Sequence, residues 1–192
     1  TNKVKFGIKN CYFAVATLAA NNSATYANPK ALPGAVSISL DAQGESTPFY
    51  ADDIVYYTDI SNSGYEGSLE LALVPDDFKK DVLGYAADAN GILYEDADAP
   101  AVHFALLFEF DGDKHAKRHV LYNCTATRPA VGSSTKTATA EPQTETINIT
   151  ATSVYNAAIS KNVVKASVTP TEATQYNAWL TAVYQPTGTA ST

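Results

Sequence analysis

Apolar and polar residues alternate along much of this chain, which is the pattern of β-strands with one buried face. In residues 35–40 every second residue is a large apolar one, and the residues between are Ala or Ser. Residues 66–74 alternate in the same way, so Leu69, Leu71 and Leu73 are predicted to face the core. Further strands are predicted at 4–8, 11–18, 54–58 and 145–153.

The most apolar strand is predicted at residues 102–110. Its largest side chains share one face: Phe104, Leu106, Phe108 and Phe110. A polar, glycine-containing hairpin turn follows at 111–114, and a partner strand is predicted at 119–127. The two strands are predicted to pair as a β-hairpin.

Two short segments break the strand pattern and indicate helices. Residues 75–83 begin with acids, which the helix dipole favours at an N-terminus, and end before Gly84. Residues 170–184 follow a capping box formed by Thr169 and Glu172. The apolar stripe of this second helix consists of Tyr176, Trp179, Leu180 and Val183. Strands and helices together predict a mainly β protein.

Two segments lack periodicity. Residues 41–53 carry Gly44, Pro48 and four acids, so they are predicted to form a long polar loop. Four tyrosines cluster around it: Tyr50, Tyr56, Tyr57 and Tyr65. Ordinary strand aromatics and an interface belt are both open interpretations, since Tyr is also enriched at protein contacts. Residues 128–142 are predicted to form a second surface loop.

Composition narrows the functional classes. The formal charge of −7 and the pI near 4.8 argue against a protein that binds nucleic acid by neutralising phosphates. Charged residues make up 17%, below the roughly 25% usual in soluble domains. A surface partly covered by partners and a surface rich in small polar residues both fit this value. No run approaches the ~18 apolar residues of a membrane helix. Cys11 and Cys124 lie in apolar runs and are predicted to be free, buried thiols.

The chain carries none of the common hydrolase, nucleotide-binding, metalloprotease or dithiol motifs. His115 and His119 lie four residues apart at a predicted strand start, and about 13 Å of strand is too far to chelate one ion. Asp111 and Asp113 flank a turn glycine and lack the further ligands of a calcium loop. The sequence therefore predicts no enzyme, no cofactor and no metal site.

Short motifs along the chain, in order and spacing, give it a resemblance to a known family. They lie at 3–10, 33–40, 48–52, 64–67, 73–78, 104–110, 119–124 and 141–146. On these motifs the chain resembles the phi13-type family of phage major tail proteins, which build long, flexible, non-contractile tails. The resemblance extends from residue 3 to about residue 184.

The resemblance implies a β-sandwich or barrel-like fold, with one tail tube domain at 3–185 and a flexible tail at 186–192. It also implies six copies in a ring and many rings stacked into a tube through which DNA travels at ejection. The implied partners are further copies of the chain, a tape measure protein inside the tube, and tail terminator and distal tail proteins. The protein is then a virion component made in the bacterial host cytoplasm, with no membrane partner.

Two sets of residues are candidates for this assembly. Contacts between subunits or rings are predicted at Phe49, Tyr50, Asp52, Asp53, Tyr56, Tyr57 and Tyr65. Acids predicted to face the lumen, where they would repel DNA and prevent adhesion, are Glu66, Glu70, Glu109, Asp111, Asp113 and Glu145.

Two competing functions stay open at this point. A carbohydrate-binding or adhesin-like β-sandwich could use surface tyrosines and Trp179 as sugar platforms. Against it, Trp179 lies on the apolar stripe of a predicted helix, which favours a core position. A hydrolase on a β scaffold is the second competitor, and the sequence offers no nucleophile–base pair for it.

Overall fold

The computed structural model describes residues 6–51, 54–111, 116–133 and 143–188, with the backbone alone at Phe6, 47–51, 54–60 and Asp111. Strands dominate these residues, accompanied by two short helices. In chain order the elements are β1 (Phe6–Leu18), β2 (Ala24–Tyr26), β3 (Lys30–Ala31), β4 (Ala35–Gln43), β5 (Ser46–Ala51), β6 (Ile54–Ile60), β7 (Gly64–Leu71), α1 (Asp76–Asp81), β8 (Tyr85–Ala87), β9 (Leu93–Glu95), β10 (His103–Asp111), β11 (Arg118–Ala126), β12 (Glu145–Thr152), β13 (Val154–Asn156), β14 (Lys161–Val163), β15 (Lys165–Val168) and α2 (Ala173–Ala178).

Nine strands form one antiparallel sheet whose main path runs β2-β1-β10-β11-β12-β7-β4. β3 pairs with β1, and β15 pairs with the first half of β11 while β12 pairs with its second half. The sheet is strongly curved, so that β1 and the start of β4 approach each other. Residues 8–12 of β1 and residues 31–35 line a common groove there. In the described residues no ladder joins β1 to β4, so the sheet is not a closed barrel. The prediction of a mainly β, barrel-like fold is confirmed to this extent.

A hydrophobic core fills the inside of the curl. Phe104, Leu106, Phe108 and Phe110 all contribute to it, as the alternation in this strand predicts. The predicted first helix is confirmed as α1, which closes one end of the core with the fully buried ring of Phe78. This ring stacks edge-on against Phe13 and Phe104, with centroid distances of 5.0 and 5.4 Å.

A second core lies on the outer side of the same sheet, over β1, β10 and β11. Residues 176–184, here called the C-terminal segment, cover Leu107, Val120 and Tyr122 there. Trp179 is only 2% exposed and its ring stacks on Tyr184 at 5.5 Å. The predicted apolar stripe of the C-terminal helix is therefore confirmed as a packing surface.

The C-terminal helix is much shorter than the predicted 170–184. Glu172 has non-helical backbone angles (φ −88°, ψ 62°), so α2 begins only at Ala173. The predicted partners of the capping box do meet, because the Thr169 N–H donates to Glu172 Oε2 at 3.1 Å, but within a turn that precedes the helix. At the other end, the Thr181 hydroxyl donates to the carbonyl of Ala178 at 2.8 Å.

The prediction of a loop at 41–53 is wrong over most of its length. β4 continues to Gln43, β5 starts at Ser46, and both pair with the chain returning through β6 and β7. The hairpin of β5 and β6, here called the arm, pairs with no other strand among the described residues. The second strand of the arm, β6, confirms the strand predicted at 54–58. Its first strand, β5, lies off the core sheet and needs no core-facing alternation, so its sequence suggested a loop.

Leu73 is a second correction. It is 64% exposed, whereas Leu69 and Leu71 are fully buried as predicted. β7 ends at Leu71, so the alternation does not extend to residue 73, and Val74 takes the buried position instead.

Both cysteines are confirmed as free and buried. Cys11 and Cys124 belong to the core inside the curl. Burial raises the pKa of Cys11 to about 12 and also raises the pKa of Cys124. Both thiols therefore stay protonated at neutral pH.

Candidate assembly surfaces

The outer side of the sheet changes character at β12, β7 and β4, where nothing in the described residues packs over it as the C-terminal segment packs over β10 and β11. Leu69, Leu71, Ile147 and Ile149 point into the core, so the residues between them point outward. Cross-strand pairing aligns the outward residues in three rows, which we call the open face: Ser37–Glu70–Thr146, Ser39–Ser68–Asn148 and Asp41–Glu66–Thr150.

The open face is acidic. Asp41, Glu66 and Glu70 are its charged residues, and β4, β7 and β12 contain no Lys or Arg. Hydroxyl groups hold the Glu70 carboxylate from both sides: the Thr144 hydroxyl donates to Oε1 at 2.6 Å and the Ser37 hydroxyl to Oε2 at 2.8 Å. These bonds, led by that from Thr144, lower the pKa of Glu70. The carboxylate is thus kept ionised at neutral pH.

The structure brings Glu66 and Glu70 together but places two other lumen candidates elsewhere. Glu145 lies two residues before Ile147 on β12 and therefore on the same, core-facing side of the strand. Its Oε2 accepts a hydrogen bond from the Val74 N–H at 2.6 Å. Glu109 is only 4% exposed. Its carboxylate lies 3.4 Å from Arg118 Nε and 3.6 Å from Lys9 Nζ. Neither carboxylate contributes to the open face.

The remaining lumen candidates are less informative. Asp111 ends β10 with only its backbone described, and Asp113 lies outside the described residues. Asp41 is an open-face acid that the sequence reasoning missed, because the segment from 41 onward was interpreted as loop. The signal was present, since the alternation of residues 35–40 places position 41 on the face of Ser37 and Ser39.

Most of the predicted contact residues belong to the arm. Phe49 lies opposite Tyr57, and Tyr50 lies opposite Val55, while Tyr56 stands between the two partners on β6. The backbone thus brings these aromatic residues onto one hairpin, whose side chains are not described.

The other contact candidates lie at the two ends of the arm. Asp52 and Asp53, at its tip, are outside the described residues. Tyr65, at its root, is partly buried, and Lys165 Nζ lies 4.9 Å from the centroid of its ring.

Comparison with known proteins identifies what these surfaces belong to. A family model described as phage tail tube protein matches residues 1–192. The chain belongs to the phage tail tube protein family. A search of curated proteins gave no match. The predicted phage major tail protein is thus confirmed, and the narrower phi13-type assignment stays a prediction.

As a tail tube protein, the chain has a structural role in the virion tail and assembles with itself and other tail components into a tube. This is consistent with the prediction of a non-enzyme. Among the described residues, no group of three or more His, Cys, Asp or Glu side chains is placed to hold a metal ion. No helix in the described part of the chain is long and apolar enough to span a membrane.

The tail tube protein leaves a long sheet edge unpaired. β4 pairs with β7 on one side, and in the described residues no strand pairs with its other side. An exposed edge of this kind is a template for pairing with another chain. In a self-assembling protein it is a candidate contact between copies.

The adhesin alternative loses its main residue. Trp179 is buried under the C-terminal segment, and its Nε1 donates to the carbonyl of His119 at 3.4 Å. A ring in this position offers no platform to a sugar.

Proposed function

We propose that this tail tube protein forms hexameric rings, that the rings stack into the tail tube, and that the open face lines the lumen through which DNA leaves. The observation that carries the proposal is the open face itself, a polar surface with three acids on strands that lack Lys and Arg. A surface that must let DNA slide past needs polarity without attraction to phosphate.

The unpaired edge of β4 supports ring formation. If β4 pairs with a strand of the neighbouring copy, six copies close the sheet edges into one continuous inner barrel. Closure removes the aggregation risk of a nine-residue exposed edge. Electron microscopy of the purified chain tests this directly, because the proposal requires hollow filaments or rings with sixfold symmetry. Rings of another symmetry would contradict it.

The charge of the ring fits a conduit. Three open-face acids per copy give eighteen in a hexamer, and six whole chains at −7 each carry a formal −42. Double-stranded DNA carries about one negative charge per 1.7 Å of its axis. Such a wall repels the DNA on all sides, so the DNA does not adhere during ejection.

The test of the lumen reverses the charge of the open face. Glu66→Lys, alone and combined with Glu70→Lys, is expected to leave tube assembly intact and to slow DNA ejection from phage carrying the variant. Asp77→Lys, at an exposed acid of α1, makes the same charge change as the single variant away from the open face and serves as control. Ejection kinetics equal to those of the unmodified phage in the double variant would refute the lumen assignment.

The arm is proposed as the contact between rings, through Phe49, Tyr50, Asp52, Asp53 and the tyrosines of β6. It extends the β4–β7 pair outward by about 20 Å, enough to reach a neighbouring copy. At its root, the Ser61 N–H donates to the Glu45 carbonyl at 2.9 Å. An Asn-Gly turn joining these two residues would therefore remove the arm and retain a hairpin.

This arm deletion is expected to give folded protein and rings but no long tubes, as measured by electron microscopy. Long tubes from the deletion variant would contradict the arm assignment. We further propose that a tape measure protein fills the tube before DNA does, that terminator and distal tail proteins bind its ends, and that the chain is made in the host cytoplasm.

A further inference from the structure

The core inside the curl is closed by α1 at one end and open at the other. At the open end lies a recess of about 350 Å³, here called the open-end recess. Its walls are mixed, because Ile38, Leu40, Phe108 and Leu121 are apolar whereas Ser39, His119 and Lys165 add polar groups. This volume is at the small end of the range for ligand pockets, and it suits a side chain such as that of Tyr, which combines an apolar ring with a polar tip.

Two large apolar side chains are exposed at the opposite end. Ile92 is 62% exposed and Tyr94 is 51% exposed, two residues apart on the β8–β9 hairpin. The hairpin is attached beside α1, because the Asp96 N–H donates to the carbonyl of Gly84 at 3.2 Å. Glu95 forms an ion pair with Arg128, just beyond the end of β11. These contacts hold the hairpin in place and leave Ile92 and Tyr94 uncovered.

The two ends are complementary in charge. Residues 85–100 contain the acids Asp88, Glu95, Asp96 and Asp98, and no Lys or Arg. The described residues that line the open-end recess include Lys165 and no acid. An acidic hairpin that carries Ile92 and Tyr94 therefore matches a recess whose walls hold a lysine together with apolar and polar side chains.

The distance between the two ends decides what kind of contact they make. The ring of Phe104 packs against α1, whereas Phe108 and Phe110 line the open-end recess. Phe104 and Phe110 are six residues apart on one strand, or about 20 Å. The hairpin therefore lies far from the recess of its own chain, and the match is one between copies. A contact between two different patches of identical chains does not form a closed dimer. It can repeat from each copy to the next, as the assembly of a tube requires.

We propose that the open-end recess receives Ile92 and Tyr94 of a second copy in the assembled tube. The proposal rests on the proposed function and names a surface beyond the arm and the β4 edge. It is continuous with the arm, because Tyr65 at the arm's root also lines the recess. One copy thus contacts the next through its arm and, beside the root of the arm, through the seated hairpin.

Cross-linking tests this contact. The test uses the full-length chain carrying Ala89→Cys, at the exposed turn of the β8–β9 hairpin, and Ser167→Cys, opposite the recess residue His119, so that Ile92, Tyr94 and Lys165 are kept. This variant is assembled into tubes, confirmed by electron microscopy, and treated with a short bis-maleimide. Cys11 and Cys124 are 5% and 0% exposed, so they do not compete. The expected result is a ladder of covalently linked copies on a denaturing gel. The control pair, Ala89→Cys with Thr146→Cys, joins the hairpin to the open face and is expected to give no ladder.

The outcomes separate this inference from the proposed function. Tubes without a ladder, or an equal ladder from the control pair, would overturn the contact and leave the tube standing. Failure of the unmodified chain to form tubes would refute the proposed function, and this inference with it.

A second variant tests the energetic role of the hairpin. Ile92→Ser with Tyr94→Ser is expected to raise the protein concentration needed for assembly at least about tenfold, as loss of a buried aromatic anchor does at interfaces. Val131→Ser, at a fully exposed apolar residue elsewhere, is the matched control and is expected to change nothing. An unchanged assembly concentration in the double variant would count against the contact.

Discussion

The two halves of the large sheet differ in what covers their outer side. Over β10 and β11 that side holds Leu107 and Tyr122, both fully buried beneath the C-terminal segment. Over β7 and β12 the same side holds Ser68 and Asn148, and none of the described residues covers them in this way. The half formed by β10 and β11 is therefore buried on both faces and stabilises the subunit. The half formed by β7 and β12 is buried on one face only, and its other face is available for assembly.

The C-terminal segment is fixed where it lies by specific bonds as well as by packing. The Tyr122 hydroxyl donates to the Tyr184 carbonyl at 2.8 Å, and Asn156 Nδ2 donates to the Pro186 carbonyl at 3.0 Å. The division of the sheet into covered and open halves is thus determined within one chain, before any partner binds.

The largest expected effect comes from removing the central side chain of the cover. Trp179→Ala is expected to lower the free energy of unfolding by about 3–5 kcal/mol, because a 2% exposed indole leaves a cavity over β11. Chemical denaturation followed by circular dichroism measures this. Thr150→Ala on the open face is the matched change and is expected to stay within about 0.5 kcal/mol. Equal losses of unfolding free energy in the two variants would show that the covered and open halves of the sheet do not differ in their contribution to stability.

The difference between the halves explains which strands the sequence predicted well. β7 is buried on one side, so its alternation correctly placed Leu69 and Leu71 in the core. β12 was predicted as a strand, but Glu145, predicted to face the lumen, lies on the same side as the buried Ile147. β10 is buried on both sides. Its Phe row was predicted correctly, but the burial of Ala105 and Leu107 on its other side depends on a segment distant in sequence.

A second comparison lies between two acids that both belonged to the predicted lumen set. Glu145→Ala is expected to cost about 1–3 kcal/mol in unfolding free energy, because the N–H of the buried Val74 loses its acceptor. Glu66→Ala, on the open face, is expected to stay within about 0.5 kcal/mol. The same denaturation experiment tests both variants. A cost for Glu66→Ala as large as that for Glu145→Ala would show that the open face also supports the fold.

Sequence reasoning failed mainly where pairing occurs away from the core. Pro48 lies near the start of β5, Gly44 precedes it, and in the described residues β5 pairs only with β6. Burial therefore leaves no periodic signature in β5, and residues 41–53 were predicted as a loop, whereas β6 was correctly predicted as a strand at 54–58. At Leu73 the failure was the reverse, since the alternation continued two residues beyond the point where β7 ends.

The acids on the two sides could not be separated by residue type alone. Glu109 and Glu66 are both strand glutamates, yet one is buried beside Arg118 and the other is exposed. The alternation of residues along β7 was enough to place Glu66 on the exposed side. The burial of Glu109 depends on Lys9 and Arg118, which come from two other strands.

A smaller effect is expected from loosening the cover without removing it. Tyr122→Phe deletes only the hydroxyl that donates to the Tyr184 carbonyl, and is expected to cost about 0.5–1.5 kcal/mol. Hydrogen exchange of the Thr181 and Ala182 amides, which donate to the Ala178 carbonyl, is expected to become faster, while exchange in β12 is unchanged. Unchanged exchange at Thr181 and Ala182 would mean that apolar packing alone holds the C-terminal segment in place.

The smallest expected effect concerns the charge of the open face. Thr144→Ala with Ser37→Ala removes both hydroxyl donors to Glu70, so its pKa is expected to rise towards the ordinary glutamate value. Because the folded-state pKa is lowered, the stabilising contribution is present above the unfolded-state pKa and is lost as pH falls through the folded-state value. The variant should therefore lose less stability on acidification than the unmodified chain. Carboxyl NMR titration measures the shift, and Ser39→Ala on the same face, which leaves both donors to Glu70 in place, is the control. A Glu70 pKa that stays low in the double variant would show that the open face keeps its charge without these two hydroxyls.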